Sequence, residues 1–168
     1  MQIRVATAAD AAQIARVHVA AWRAAYHGII PDEIIASHNG TNRTERWQAI
    51  LAQPIGATFV AEENVMVVGF CHHIPSRDPD ADPKTTGEIA SIYVHPEHWR
   101  AGAGRQLCLH TFQETRRRNF TNLTLWVMKA NFPAIEFYGA MGFALDGAVK
   151  VERIKGFELH EIRLRLKL

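Results

Sequence analysis

The stretch IYVHPEHWRAGAGRQL, residues 92 to 107, decides how the rest of the chain is read. Its first five residues belong to EIASIYVHP (88 to 96), a β-branched and aromatic run that reads as a strand ended by Pro96. Gly102 and Gly104 mark a turn, and from Gly102 to Arg118 the spacing of Leu107, Thr111 and Thr115, with Cys108 and Phe112, is helical. A strand that passes through glycines into a helix leaves several main-chain N–H groups at the helix start unpaired and pointing together. The helix dipole is positive there, glycine and alanine keep side chains out of the approach, and Arg100 and Arg105 add charge. Arg100, Ala101, Gly102, Ala103, Gly104 and Arg105 are therefore a candidate cradle for an anion, phosphate above all. Two other phosphate loops are excluded by spacing. A Walker loop needs lysine and serine or threonine where Arg105 and Gln106 stand, and a dinucleotide fingerprint needs a small residue where Leu107 stands.

Working outward, IRVA near the amino terminus alternates like a short strand, and Thr7 with Asp10 has the form of a capping box. Ile14, Val17, Ala21, Trp22 and Ala25 make one apolar helical stripe that ends at Gly28. Pro31 to His38 reads as a short helix, and about Thr41 to Gln53 as a third, with Trp47, Ile50 and Leu51 inward. ATFVAEE and VMVVGFCHHI form an expected antiparallel hairpin around Glu63 and Asn64, followed by a loop, SRDPDADPKTTG, from Ser76 to Gly87. LTLWVM is a strand, Pro133 to Met141 a helix, and two closing strands part near Lys155 and Gly156. The order predicts one α/β domain over residues 1–168, a mixed sheet with helices on both faces. One right-handed crossover joins the EIASIYV and LTLWVM strands. Ligands of such sheets lie beyond the carboxyl ends of parallel strands, where the glycine turn falls.

Composition narrows the function. With 48% apolar and 21% charged residues the chain is not of the disordered class, and no apolar run approaches the ~18 residues of a membrane span. MQIRVATAAD lacks the features of a secretory signal, so a cytoplasmic location is expected. A net charge of +2 with scattered basic residues predicts no nucleic-acid partner; Arg116 to Arg118 suit the end of a helix. Cys71 and Cys108 supply neither a disulfide framework nor a metal knuckle. His72 and His73, adjacent on a strand, point oppositely, and no HxH or HExxH spacing exists, so no metal is expected.

IYVHPEHWRAGAGRQL followed by LWVMKANFPAIEFYGAMGF (125 to 143) resembles the acetyl-CoA-binding core of the GNAT acetyltransferase superfamily. Gly102 and Gly104 take the two small positions of that family's pyrophosphate loop; Trp99 stands where the family has glutamine or arginine, with Arg100 one step later. Asn131, Ala134, Phe137, Tyr138, Gly142 and Phe143 fall at the spacing of the second motif. The resemblance implies a mostly antiparallel, twisted sheet of six to seven strands with the parallel β-α-β crossover at the cosubstrate site. It implies acetyl-CoA as cosubstrate, its pantetheine arm between the parallel strands on the main chain of Ile92, Tyr93 and Val94. The N–H of Val94 would steady the thioester oxyanion, Asn131 orient the arm, and Tyr138 act as general acid for the departing thiolate.

The activity so implied is acetyl transfer to a primary amine of a small molecule or peptide by direct attack. A non-catalytic acyl-CoA sensor is the alternative. A homodimer agrees with the resemblance and with the closing strands, and Tyr26 with the Gly28 to Pro31 segment is placed by it at the acceptor pocket. Glu88 is the candidate base: strict alternation sets it on one face with Ala90, Ile92 and Val94, able to take a proton through water. The competing reading of Glu88 is a solvated carboxylate at a strand start. His95, before Pro96, shapes the turn.

Overall fold

The capping box read at Thr7 is formed. Asp10 accepts from the Thr7 main-chain N–H at 2.7 Å, and Arg4 grips both Asp10 oxygens at 2.8 Å. A computed structural model describes residues 1–37 and 40–168. β1 (Gln2–Val5) leads through one 3-10 turn into α1 (Ala11–Tyr26), then α2 (Asp32–Ser37) and α3 (Gly40–Leu51). His38, expected at the end of α2, lies outside the described residues. β2 (Ala57–Glu63) and β3 (Met66–Pro75) form the hairpin, and β4 (Thr86–Val94) follows the acidic loop. α4 (Ala103–Arg117), β5 (Asn122–Met128), α5 (Phe132–Ala140), β6 (Ala144–Ile154) and β7 (Phe157–Lys167) complete the chain. No described helix is long and apolar enough to cross a membrane.

The described strands form one seven-stranded sheet in the order β1-β2-β3-β4-β5-β7-β6, antiparallel except between β4 and β5. The hairpin turn falls at Asn64 and Val65, both at positive φ (49° and 59°), one residue later than the sequence pattern suggests. That twist matches the strands it joins, which is why so exposed a valine is tolerated there.

Two local departures in β4 shape the site. Its parallel pairing with β5 stops at Ile89 opposite Leu125, although β4 runs on to Val94 and β5 to Met128. Against β3, His73 pairs with Ile89 and His72 with Ser91, so Ala90 is the extra residue of a bulge. One inserted residue reverses the faces beyond it. Ile89, Ile92 and Val94 therefore lie on the face covered by α4 and α5, packed with Cys71, Leu107, Cys108, Leu123 and Leu125. Glu88, Ser91 and Tyr93 share the other face with Phe70 and His72, under α1 and α3. The grouping of Glu88 with Ile92 and Val94 expected from alternation is thus corrected by the bulge. His72 and His73 do point oppositely: His72 bonds Thr58 Oγ1 at 2.9 Å, and His73 lies against Phe59 and Phe120.

On the α1 face, His18 stacks on Tyr93 with ring centroids 4.6 Å apart, and Trp47 meets Phe70 edge-on at 4.8 Å. Tyr26, Ile30, Ile34 and Ile35 pack on Met128 and Leu159, fastening the α1–α2 corner to the far side of the sheet.

The Arg4 pair makes a pH-dependent contribution. Hydrogen bonds from Arg4 hold the Asp10 carboxyl down at about 2 against the upward push of burial. A folded pKa below the unfolded one stabilises fully above the unfolded value and is lost as pH falls through the folded value. Arg4→Met is expected to cost about 1–2 kcal/mol at pH 7. Urea denaturation of both proteins should show this gap narrowing as pH is lowered toward 2.5; a gap independent of pH would contradict it.

Candidate active site

The loop before α4 turns into the helix through the left-handed region, with Arg100 at φ 60° and Gly102 at φ 88°. The first helical bond runs from the Gln106 N–H to the Gly102 carbonyl at 3.0 Å, and no side chain caps this end. The amides of Ala103, Gly104 and Arg105 are therefore open at the positive end of a fifteen-residue helix. The two glycines serve different needs. A side chain on Gly102 would have open space but a strained backbone, whereas a Cβ on Gly104 would sit 3.3 Å from the Phe137 ring. Gly104 is small to let α4 pack on α5. Trp99, in the position that differs from the GNAT motif, donates its indole N–H to the Val94 carbonyl at 2.7 Å.

Beside this helix start the sheet opens. The His95 N–H donates to Val68 of β3 at 2.8 Å, so by antiparallel alternation the main chain of Tyr93 also faces β3. The N–H and C=O groups of Ile92 and Val94 then face β5, whose pairing has already ended. Two of the three expected strand contacts, Ile92 and Val94, thus present open N–H groups, the Val94 carbonyl being taken by Trp99; the main chain of Tyr93 belongs to the ladder with β3.

Tyr138 lies on the α4–α5 side, its ring 5.4 Å from Phe137 and 5.9 Å from Phe143. Burial, with the nearby Cys108, Tyr26 and Cys71, pushes its phenol well above 10, so it is a proton donor at any physiological pH. Asn131 starts α5, its Oδ1 accepting the Ala134 N–H at 3.3 Å. The Tyr26 hydroxyl, reaching across from α1, lies near the side chains of Tyr93 and Asn131. It thus lies near both the end of β4 and Asn131, three residues past β5. Burial pushes the Tyr26 phenol up as well, against the opposing influence of Tyr93 and Asn131.

Glu88 is only 3% exposed, which removes the solvated reading. Its carboxylate takes the Arg77 main-chain N–H at 3.1 Å, Arg77 Nε at 3.2 Å, and a closer contact from Arg77 Nη2. Arg77 is in turn positioned by the loop that follows it. Trp126 Nε1 donates to Asp78 at 2.9 Å, and buried Arg163 holds Asp78 (3.1 Å), Asp80 (2.6 Å) and Asp146 (2.7 Å). The sequence reading missed Arg77, Trp126 and Arg163. The signal was present in the acidic loop DPDAD and in EIRLRLK, whose charges alternate with apolar residues along β7.

Both thiols are buried among apolar side chains. Burial pushes Cys71 up to about 12 despite a hydrogen bond from Thr111 Oγ1 at 3.3 Å, and raises Cys108 further. No three His, Cys, Asp or Glu side chains among the described residues group as a metal site.

The acetyltransferase (GNAT) family model matches residues 19–143. The chain belongs to the GNAT family. The match spans both the glycine turn and the Asn131 to Phe143 segment. The uncharacterized N-acetyltransferase YuaI of Bacillus subtilis is 34% identical over 139 residues, 82% of this chain and 77% of that one. The L-methionine sulfoximine/L-methionine sulfone acetyltransferase of Salmonella typhimurium is 30% identical over 157 residues, 92% of this chain and 86% of that one. Among solved structures, the acetyltransferase YncA from Salmonella typhimurium with its cofactor acetyl-CoA is 27% identical. It superposes with a TM-score of 0.73, covering 99% of this chain and 93% of that one. The mixed, mostly antiparallel sheet with helices on both faces is the GNAT fold, and the chain is an acyltransferase.

The GNAT glycines predict distinct stability effects. Gly104→Leu should drive a side chain into Phe137 and lower the melting temperature by roughly 5 °C or more. Gly102→Ala should cost only the left-handed backbone penalty, about 1 kcal/mol. Thermal melts that rank the two in the opposite order would contradict the packing role of Gly104.

Proposed function

We propose that this GNAT protein transfers the acetyl group of acetyl-CoA to the primary amine of a small, amino-acid-like acceptor by direct attack. The observation that carries the reading is the line of open main-chain donors, from Ile92 and Val94 to Ala103, Gly104 and Arg105, with a protonated phenol beside it. The helix-start amides suit a diphosphate, aided by Arg100 and Arg105, and the strand amides suit the amide-rich pantetheine arm. The acetyl-CoA held by YncA supports that choice of donor. The named substrates of the Salmonella typhimurium relative support the acceptor class.

In this reading the Val94 N–H steadies the thioester oxyanion as the amine nitrogen attacks the carbonyl carbon. Collapse of the tetrahedral adduct breaks the C–S bond, and Tyr138 gives its proton to the leaving thiolate. Glu88, on the acceptor side of the sheet and oriented by Arg77, takes the ammonium proton through water. Amine and acetyl-CoA become amide and free CoA, the proton lost by nitrogen replacing the one given by Tyr138. The two cysteines take no part: thiols held protonated by burial are poor nucleophiles, which favours direct attack over an acyl-enzyme.

Thiol release by the protein with acetyl-CoA and a panel of amines tests the transfer. Tyr138→Phe is expected to lower kcat about 100-fold or more, with acetyl-CoA affinity by calorimetry changed less than threefold. Undiminished turnover would remove the acid role. Glu88→Gln should lower kcat/KM at least tenfold, and a fully active variant would remove the base.

A further inference from the structure

Arg43 stands out among the cations of the α1 face. It lies on α3 one helical turn before Trp47, whose ring is wedged against Phe70 and, at 5.8 Å, His72 of β3. The same stripe of α3 therefore turns Arg43 toward the sheet, and its charge interacts with the Tyr93 hydroxyl. The other guanidiniums held at the sheet have partners: Arg4 has Asp10 and Glu62, Arg77 has Glu88, Arg163 has three aspartates, and Arg16 donates to the Val67 carbonyl at 2.9 Å. Half-buried Arg43 forms no ion pair among the described residues, and the charged group that acts on it most is another cation, Arg46. Burial and Arg46 together push its pKa down, as expected of a partly dehydrated cation without an anion beside it.

A guanidinium kept out of water without a counter-charge is costly unless a ligand supplies one. A carboxylate matches it best, because the planar fork of arginine donates two parallel hydrogen bonds to one. On the same face lies Glu88, proposed above to take the acceptor's ammonium proton through water. Tyr93, the β4 residue that the Arg43 charge acts on, shares this face under the ring of His18. A cationic and an anionic group on one face of the sheet complement an acceptor that carries both a carboxylate and an amine.

We propose that Arg43 binds the carboxylate of the acceptor, and so selects amino carboxylates, α-amino acids foremost, over amines that lack the acid. This rests on the acetyl-transfer reading and on the acceptor lying on the α1 face. Arg43 is a specificity residue, without a part in proton transfer.

The test compares paired acceptors, L-methionine sulfone and the common L-amino acids each beside its uncharged α-carboxamide, by thiol release from acetyl-CoA. Wild type is expected to favour the acid by at least tenfold in kcat/KM for its best pair. Arg43→Gln should raise KM for that acid at least tenfold and abolish the preference, leaving the amide within about twofold of wild type. Arg43→Lys should recover part of it, and calorimetry should find acetyl-CoA affinity unchanged in both variants. Equal use of acid and amide by wild type overturns the Arg43 proposal alone, and needs no variant to fold. Arg43→Gln weakening acid and amide alike also overturns it. No thiol release with any amine overturns the transfer reading and this one together.

Discussion

A missing stretch of sheet organises this molecule. β4 and β5 lie side by side and parallel, yet their hydrogen bonding stops at Ile89 and Leu125 while both strands continue. Main-chain amides removed from water require partners, and a parallel pair that parts mid-sheet leaves two rows of them unsatisfied. The gap persists because other contacts hold its sides. β3 keeps β4 through Tyr93 and His95, β7 keeps β5 through Met128, and Tyr26 lies near both Tyr93 and Asn131. What enters such a gap is favoured if it is extended and rich in amides, as another strand would be.

The bulge at Ala90 decides which side chains meet at that gap. Without it Glu88 would lie with Ile92 and Val94 on the dry side, among α4, α5 and the two thiols. With it Glu88 joins Ser91 and Tyr93 on the side where the ionic loop, α1 and α3 converge. The sheet thereby separates two environments. One is apolar and keeps Tyr138 protonated; the other carries charges, with Arg163 and its three aspartates holding the loop that orients Arg77.

Much of this was legible in the residues themselves. Apolar patterning with the prolines and glycines placed the α-helices and β1 to β5 to within a few residues and the turn between β6 and β7, and the two glycine-bearing motifs pointed to the family that the family model matches. The faces of β4 were not legible, because an alternation rule counts in twos and a bulge adds one. Nor was the Arg163 network, which joins residues up to 85 positions apart and depends on which strands become neighbours. Asn131 was read as a ligand contact, yet its side chain also starts α5, a local role that the same residue type performs in many helices. Glu88 looked solvent-facing only because Arg77, eleven residues earlier in an irregular loop, gave no periodic signal.

Amide hydrogen exchange, measured residue by residue with and without CoA, reads the open main chain directly. The amides of Ile92 and Val94, and those of Ala103, Gly104 and Arg105, should exchange more slowly when CoA is bound, by tenfold or more. Those of Tyr93 and His95, already held by β3, should change little. Protection that appears at Tyr93 and His95 but not at Ile92 and Val94, or that is absent from both, would contradict the account.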